Sequence, residues 1–548
     1  MQESEQNTPE KPALNESIQP ALDGTQSPPA VFDPAANPAP KNTKKPLFIA
    51  LALVVLVAGA AAAFLLLKKD NKPTNSSVTK KDIPVLTVEY DDSTVPQYPV
   101  KMGGYGADSS VILQLFEGLT QVQNTTDVKP LLATYWSNPD PSTWIFSLRH
   151  GVKFHSGREM TSADVKSTLD YAVAHQTDGD LPFFAASNTI KSVEAVGRYQ
   201  VKITTIAPDP LLLARLSTLP IFDPQAKLGD YDSGTGPYIV KPGTTPTDTS
   251  IDLAAYDGYW GGHIYTREVD IKFVVDEDSL IKNIEQNKFD IAGSFVAQEL
   301  GHYKVPYTKL KVADQGPNML MLNVERAGSP LQDLAARQAV EYAINKTQLL
   351  KDNGLDGTPS EQLVPLSLPG HNPDIKGLSY DPEKAKALLK NVKNASQQLT
   401  LVTTDSSGSG DNIAKQLNAV GFNVKVVLLD NFDEFVSNAY GGKYDMVSIS
   451  YSSDFIDGLD ILKFALTGTK NYDNPQVDSL MDQTSKTFDA KQRINLMQQI
   501  ATIEDKEKPV IPLYTHNRIF TITKPNIVVK ADMQDFSNSI YYWKVYQK

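Results

Sequence analysis

The sequence predicts an α/β protein with more than one lobe, preceded by one transmembrane helix. Its 548 residues are more than one hydrophobic core usually organises. From residue 83 onwards, segments that alternate like β-strands are interleaved with segments that have the spacing and the caps of α-helices. Ahead of them lies an uncharged apolar run, residues 47–67, which has the length of a membrane span.

The N-terminal region divides into three parts. Residues 1–45 are rich in Pro, Asn, Gln and Ala, a composition that cannot bury enough apolar surface to offset its ordering entropy, so we expect a disordered tail. Residues 46–67 are predicted to form the transmembrane helix, because about 20 apolar residues at about 1.5 Å each reach about 30 Å. Residues 68–82 are polar and are predicted to form a linker.

The apolar run leaves two questions open. A cleaved signal peptide would use the small residues 60–63 as its processing site, but the run continues through residues 64–67 and follows a long tail, which favours a retained anchor. The positive-inside rule taken alone would place the C-terminal side in the cytoplasm, because more lysines follow the run than precede it. Those before it are Lys41, Lys44 and Lys45, and those after it are Lys68, Lys69, Lys72, Lys80 and Lys81.

Composition and motifs exclude several classes of function. A net charge of −12 argues against nucleic-acid binding, which needs a basic face. The chain has no cysteine, so disulfides, thiolate metal sites, a cysteine nucleophile and a lipid-modified cysteine are excluded. The glycine-rich residues 103–108 lack the lysine of a phosphate loop, and the acids at 276–278 lack the spacing of a calcium loop. We therefore expect a binding protein without a metal or cofactor, not an enzyme.

Strand and helix signals alternate along residues 83–548. Five segments have the β-branched enrichment and alternation of strands, namely residues 85–90, 199–206, 267–275, 423–429 and 444–451. Three helix starts are marked by capping residues, namely Ser329 with Pro330, Asp381 with Pro382, and Asp278 with Ser279. This mixture is typical of an α/β protein.

The stretch "LRHGVKFHSGREMTSADVKSTLDYAV" combines two histidines with acids and a helix start, as an active site would. Its pattern nevertheless favours a scaffold. Thr161 and Asp164 have the spacing of a capping box. His150 and His155 stand beside turn residues, and neither has a second histidine at i+3 or i+4, so both are predicted to be structural. One buried face is expected on the preceding strand, at Trp144, Phe146 and Leu148.

The same stretch lies within a series of motifs. The first is "KPLLATYWSNPDPSTWIFSLRHGVKFHSGREMTSADVKSTLDYA", and the others are "LFEGLT" (115–120), "GTGPYIV" (234–240), "AYDGYWGG" (255–262), "VVDEDSLIKNIEQNKFDI" (274–291), "SPLQDLAARQAVEYAINKTQLL" (329–350), "YDPEKAKALL" (380–389) and "NPQVDSL" (474–480). In content and order they resemble the family 5 extracellular solute-binding proteins, the oligopeptide- and dipeptide-binding components of ABC importers.

The resemblance implies a two-lobed clamp of the periplasmic-binding-protein type II fold, with an additional small lobe, that closes on its ligand by hinge motion. Residues 319–323 and 511–514 are expected to be the two hinge crossings. The implied boundaries are residues 83–106, 216–320 and 515–548 for lobe I, residues 107–215 for the small accessory lobe, and residues 321–514 for lobe II.

The resemblance also implies where a ligand binds. In peptide-binding members an extended ligand adds as a strand between two protein segments. Asp454 matches the carboxylate that pairs with the ligand's α-ammonium group, although it could instead cap the next helix. For Met319 and Met321, packing in the protein core is the alternative to contact with the ligand. The implied ligand-binding residues are Gly104, Tyr105, Gly106, Met319, Met321, Asn323, Ser450, Tyr451, Ser452 and Asp454.

The implied function is that of a monomeric, membrane-anchored receptor outside the cytoplasm, which captures short peptides and delivers them to an ABC permease. This location requires the C-terminal part to lie outside, against the lysine count. The family pattern has Trp at Tyr451 and Pro at Gly458, and these departures leave the ligand class open, since family members also bind nickel chelates, haem, sugars and opines. Further alternatives are a signalling or scavenging receptor, an enzyme built on the same fold, and a structural module.

Overall fold

The structure is a computed structural model that describes residues 79–90, 107–122, 127–177, 186–227, 230–274, 277–294, 304–313, 316–404, 408–451, 453, 457–530, 533 and 539–548. Within these ranges no helix combines the length and the apolar character needed to span a membrane. The transmembrane helix predicted at residues 46–67, like the tail before it, lies outside the described residues.

The described strands and helices alternate along the chain. The strands are β1 (Ile83–Tyr90), β2 (Thr120–Val122), β3 (Val128–Pro130), β4 (Ala133–Asp140), β5 (Thr143–Leu148), β6 (Ile190–Ala195), β7 (Gln200–Thr205), β8 (Tyr238–Val240), β9 (Ser250–Ala255), β10 (Thr266–Phe273), β11 (Ile291–Ser294), β12 (Thr308–Ala313), β13 (Asn318–Leu322), β14 (Gly357–Pro359), β15 (Gln398–Thr403), β16 (Asn423–Leu428), β17 (Met446–Ser450), β18 (Val510–Ile522), β19 (Ile527–Val528) and β20 (Tyr546–Gln547). The helices are α1 (Ala107–Leu115), α2 (Ser162–Ala174), α3 (Leu212–Thr218), α4 (Glu277–Glu285), α5 (Leu334–Ala343), α6 (Lys346–Asp352), α7 (Pro382–Leu389), α8 (Ser409–Val420), α9 (Phe432–Tyr440), α10 (Gly458–Leu466), α11 (Pro475–Lys486) and α12 (Ala490–Glu507). The five predicted strands correspond to β1, β7, β10, β16 and β17.

One long sheet runs through the two main lobes. Its order is β16-β15-β17-β13-β18-β11-β1-β10-β9-β8, with β12 and β14 also paired to β18. We call the part from β11 to β8, with β12, lobe I, and the part from β16 to β13, with β14, lobe II. β18 belongs to both, because its residues 510–516 pair with β13 and β14 and its residues 517–522 pair with β11 and β12.

Helices cover both faces of the lobe II sheet. Met319 and Met321 of β13 pack in an apolar cluster with residues of α9, α10, α11 and α12. Their neighbours Leu320 and Leu322 pack in a second cluster with residues of α5, α7 and α8. Alternate residues of one strand therefore enter two different cores, as a strand buried on both faces requires.

A small antiparallel sheet, in the order β4-β5-β7-β6, packs with α2 beside lobe I. Trp144, Phe146 and Leu148 of β5 are buried while the residues between them are partly exposed, as the alternation predicts. These side chains share one apolar cluster with the lobe I strands. The residue boundaries given above for the lobes remain predictions.

The helix caps follow the sequence signals in part. Asp381 caps α7 by accepting a hydrogen bond from the Lys384 amide (2.9 Å). Ser329 opens only a short 3₁₀ turn, and α5 itself starts after Asp333, whose carboxylate accepts from the Ala335 amide (2.9 Å). The helix predicted to open at Asp278 and Ser279 starts earlier, with α4. In α5 the cap is therefore Asp333, the polar residue directly before the first turn, and not Ser329.

The stretch at residues 148–173, which contains two histidines, has a structural role, as its sequence pattern predicts. Asp164 accepts hydrogen bonds from the amide and the hydroxyl of Thr161, both at 2.8 Å. His150 stacks on Tyr199 with the ring centroids 4.0 Å apart. Burial lowers the pKa of His155 to about 4, and its Nε2 lies 3.0 Å from the Gly236 carbonyl oxygen.

One buried carboxylate joins three of the motifs. Glu117 of "LFEGLT" accepts hydrogen bonds from the Thr235 hydroxyl (2.9 Å) of "GTGPYIV". It also accepts from the Tyr259 hydroxyl (3.1 Å) and the Trp260 indole (2.8 Å) of "AYDGYWGG". Burial raises the pKa of Glu117 to about 7. The three motifs therefore meet at one structural junction in lobe I.

Candidate ligand-binding cleft

The carboxyl ends of the parallel strands in both lobes point toward the chain crossings. In lobe I, Ser294 at the end of β11 pairs with Ile519, the part of β18 nearer to lobe II. β1 is parallel to β11 and to β10, so all three strands end on that side. In lobe II, Ser450 at the end of β17 pairs with Asn318, the first residue of β13 after the crossing. Ligands of α/β proteins bind beyond the carboxyl ends of the strands, and here two such edges meet.

The two crossings lie side by side. The chain passes from β12 to β13 in one direction and returns within β18, which pairs with both strands. Asn318 Nδ2 lies 3.1 Å from His516 Nδ1, so the two crossings are also joined by side chains. Two adjacent strands therefore carry the chain between the lobes. In such a hinge, changes in a few backbone angles can open or close the cleft.

Tyr451 follows β17 directly and lies at this edge. Its ring stacks on Phe464 of α10, with centroids 4.2 Å apart and planes at 17°. Burial raises the pKa of the Tyr451 hydroxyl, and the carboxylate of Asp460 raises it further. The guanidinium of Arg215, in α3, acts in the opposite direction. A charge that comes long before lobe II in the chain therefore acts on the residue at the end of β17.

A buried network fixes the segment after Tyr451. Asp457 caps α10 by accepting from the Leu459 amide (2.9 Å), and its Oδ2 accepts from Arg493 of α12 (2.7 Å). Both side chains of this ion pair are only 7% exposed. The Ser453 hydroxyl donates to the Asp457 carbonyl oxygen (3.1 Å) and lies 3.0 Å from the carboxylate of Asp460. The edge residues are thus attached to two helices of lobe II.

The lobes also touch away from the crossings. Trp144 of β5 packs near Phe488, between α11 and α12, with ring centroids 6.1 Å apart. Val122 and Ala214, from the side of lobe I, belong to the apolar cluster that contains Leu462 of lobe II. The structure therefore shows the clamp with contacts between its two sides.

Comparisons with known proteins identify the family. The middle-region model of the bacterial extracellular solute-binding proteins, family 5, matches residues 127–473, more than half of the chain. The chain belongs to this family. The chain shares the two-lobed periplasmic-binding-protein fold with the solved structure of DppA from Helicobacter pylori in complex with the peptide STSA, which has a TM-score of 0.66 at 20% identity over 86% of this chain and 99% of that one.

Curated relatives in the family differ in the ligand that their names give. The dipeptide-binding protein of Escherichia coli strain K12 is 24% identical over 444 residues, which cover 72% of this chain and 82% of the relative. Heme-binding protein A of Haemophilus influenzae is 24% identical over 481 residues, which cover 79% of this chain and 86% of the relative.

The family site residues predicted from the sequence fall into three groups. Ser450 and Tyr451 lie at the carboxyl edge of lobe II, as described above. Gly104, Tyr105, Gly106, Ser452 and Asp454 lie outside the described residues. The alternative that Asp454 caps the helix after it is wrong, because the cap of α10 is Asp457.

The remaining three predicted residues are buried in lobe II. Met319 and Met321 are 0% and 2% exposed, in the core arrangement that the sequence left as the alternative. Asn323 is 3% exposed, and its Nδ2 donates to the carbonyl oxygens of Gly442 (3.1 Å) and Tyr444 (3.2 Å). A direct contact of these three side chains with a ligand remains a prediction.

The structure adds residues that sequence reasoning missed. Arg215 of α3 lies 3.3 Å from the Asp209 carboxylate, which also accepts from the Thr189 hydroxyl (2.7 Å). Burial lowers the pKa of Lys463 in α10, and the charges of Arg215 and Arg493 lower it further. No sequence signal connects these residues, because their approach depends on how the lobes pack. In the described ranges, no group of three or more acidic or histidine side chains could hold a metal ion.

Proposed function

We propose that the chain is a membrane-anchored receptor outside the cytoplasm that captures short peptides between its lobes and delivers them to an ABC permease. One observation supports a peptide ligand above all. Within the described residues, β15 pairs with β17 at Met446 and Val447, and β17 continues for three residues to Ser450. Beyond Val447 no described strand pairs with β17 on that side, so the backbone near Ser450 can accept a further strand at the ligand edge. An extended peptide can add there as a strand and form sequence-tolerant main-chain hydrogen bonds.

The second protein segment of this grip is assigned to Gly104, Tyr105 and Gly106, which follow β1 in lobe I. A peptide held between segments of both lobes stabilises the closed clamp, because it forms its full set of hydrogen bonds only when both lobes are in place. The function is therefore capture and release by closure, without a chemical step.

Asp454 is assigned to the peptide's free α-ammonium group. A partly buried carboxylate that meets an amine forms a charge-assisted hydrogen bond. Its loss should cost about 2–3 kcal/mol, or about 30- to 150-fold in affinity.

The test of this assignment compares free and N-acetylated peptides by calorimetric titration. Asp454→Ala should weaken binding of free-amine peptides and leave N-acetylated ones unchanged. The matched control is Asp482→Ala, because Asp482 is exposed on α11 and pairs with Lys486; it should change neither. Equal losses for both peptide types in Asp454→Ala would remove the amine role.

Native mass spectrometry of the purified chain tests the ligand class. Peptides of two to several residues that co-purify would support the proposal. A bound haem, which the relative in Haemophilus influenzae makes the main non-peptide candidate, would be visible by its mass and absorbance. A haem or a sugar in place of peptides would overturn the peptide assignment while leaving solute binding in place.

The anchor is the finer part of the proposal. It rests on the apolar run at residues 46–67, and it places residues 83–548 outside the cell because a receptor is useful only there. Protease treatment of intact cells should cleave the C-terminal part. Complete protection, with cleavage only after lysis, would contradict this orientation.

A further inference from the structure

A cavity opens at the carboxyl edge of lobe I, and none of the residues assigned to the peptide lines it. Its volume is about 360 Å³, and it lies beside the carboxyl-terminal ends of β1 and β10 and next to α4. Pockets for small molecules range from about 300 to 1,000 Å³, so this one suits a compact solute. Phe273, Val274 and Phe289 supply apolar walls, and the remaining lining residues are polar or charged.

Glu89 is the buried polar group of this cavity. The side chain is 1% exposed, and its Oε1 accepts a hydrogen bond from Asn283 Nδ2 of α4 (2.7 Å). Its Oε2 is shielded from solvent and has no hydrogen-bond donor among the described residues. An unpartnered buried oxygen costs about 1–3 kcal/mol, which a donor on a ligand would recover. Burial raises the pKa of Glu89 to about 7, despite the nearby ammonium groups of Lys288 and Lys272.

Two lysines line the same cavity without neutralising Glu89. Lys288 Nζ donates to Asn283 Oδ1 (3.0 Å). This hydrogen bond fixes the Asn283 amide group that donates to Glu89. Lys272 is the register partner of Glu89 across β10 and β1, and its side chain is exposed. Within the described part of the chain no ion pair joins Lys272 to Glu89, although paired strands lie only about 4.8 Å apart. The Glu89 carboxylate and the Lys272 ammonium group are neighbours that do not form an ion pair with each other. They can therefore bind the two opposite charges of one small molecule.

We propose that this cavity is a second binding site, which takes a free α-amino acid with its ammonium group on Glu89 and its carboxylate on Lys272. The ammonium donates to Glu89 Oε2, and the carboxylate accepts from the Lys272 ammonium. The two aromatic walls accept the side chain. The proposal treats this site as separate from the peptide site, because its residues lie beside α4 and none of them is assigned to the peptide.

Calorimetric titration of the purified full chain with free amino acids tests the proposal. Among them, L-alanine is compared with L-alaninamide, which lacks the carboxylate, and with N-acetyl-L-alanine, which lacks the ammonium. At least one amino acid should bind, and removal of either charge should weaken binding about tenfold or more. Absence of binding by the whole set of free amino acids would overturn the proposal.

Variants locate the site. Glu89→Gln and Lys272→Met should each weaken amino-acid binding about tenfold or more, whereas Lys282→Met, an exposed lysine on α4 outside the cavity, should leave it unchanged. Lys272 is exposed, so its variant serves even if Glu89→Gln does not fold. A final titration in the presence of a saturating peptide should give the same amino-acid affinity. Displacement by the peptide, or binding that survives both variants, would assign the amino acid to the main cleft and refute the second site.

Discussion

Removal of the Asp457 side chain should destabilise the edge of lobe II more than the loss of an ordinary helix cap. Asp457 has two roles: it caps α10, and it pairs with Arg493, with both side chains 7% exposed. Loss of a cap costs about 1 kcal/mol. Breaking a buried ion pair by removal of one partner costs about 3–5 kcal/mol, because the remaining charge stays buried. Asp457→Ala should therefore cost about 4–6 kcal/mol.

Asp489→Ala is the matched control. Asp489 caps α12 by accepting from the Gln492 amide (2.7 Å), but its side chain is exposed and forms no ion pair with another described residue. Its removal should cost about 1 kcal/mol.

Hydrogen exchange of the α10 and α12 amides measures both losses locally, which is preferable to a global transition in a protein with several lobes. The α10 amides should exchange much faster in Asp457→Ala than in Asp489→Ala. Equal, small effects in the two variants would show that the ion pair does not fix the segment after Tyr451.

Two further predictions concern stability with pH and closure. Burial, together with the carboxylates of Glu341 and Asp505, raises the pKa of Glu504 to about 8, although Lys508 and Lys346 act to lower it. The folded chain then holds a proton that the unfolded chain releases above its ordinary pKa, so stability falls by about 1.4 kcal/mol per pH unit as pH rises from about 5 to 8. Urea unfolding at several pH values should show a smaller slope for Glu504→Gln than for the exposed control Glu383→Gln, and identical slopes would refute the assignment. Phe488→Ala removes the aromatic contact with Trp144, worth about 0.5–1.5 kcal/mol, and should lower peptide affinity about two- to tenfold and increase the radius of gyration in X-ray scattering. No change in either quantity would show that this contact does not contribute to closure.

The sequence predicted local structure well because local patterns carry it. Alternation placed β1, β7, β10, β16 and β17, and the capping residue Asp381 placed the start of α7. The resemblance implied a hinge crossing at residues 319–323, but it cannot say what covers each face of that segment. The structure puts Met319 in one core and Leu320 in another, so neither side of the strand is open.

The site was harder to predict because its geometry is set over long distances in the chain. Arg215 approaches Tyr451 only through the packing of the lobes. Arg493 meets Asp457 only because α12 crosses the start of α10. Glu89 looks like an ordinary strand residue in the sequence. Only the fold shows that it lines a cavity and that one of its oxygens has no hydrogen-bond partner among the described residues.

Closure around a peptide is the central claim, and a distance between the lobes tests it most directly. The chain has no cysteine, so spin labels at Asp257→Cys in lobe I and Asp482→Cys in lobe II would be the only labelled positions. Both native side chains are exposed, at 89% and 63%. Pulsed electron paramagnetic resonance should show a broad, longer distance distribution without peptide and a narrow, shorter one with it. An unchanged distribution under conditions in which calorimetry shows bound peptide would contradict the account.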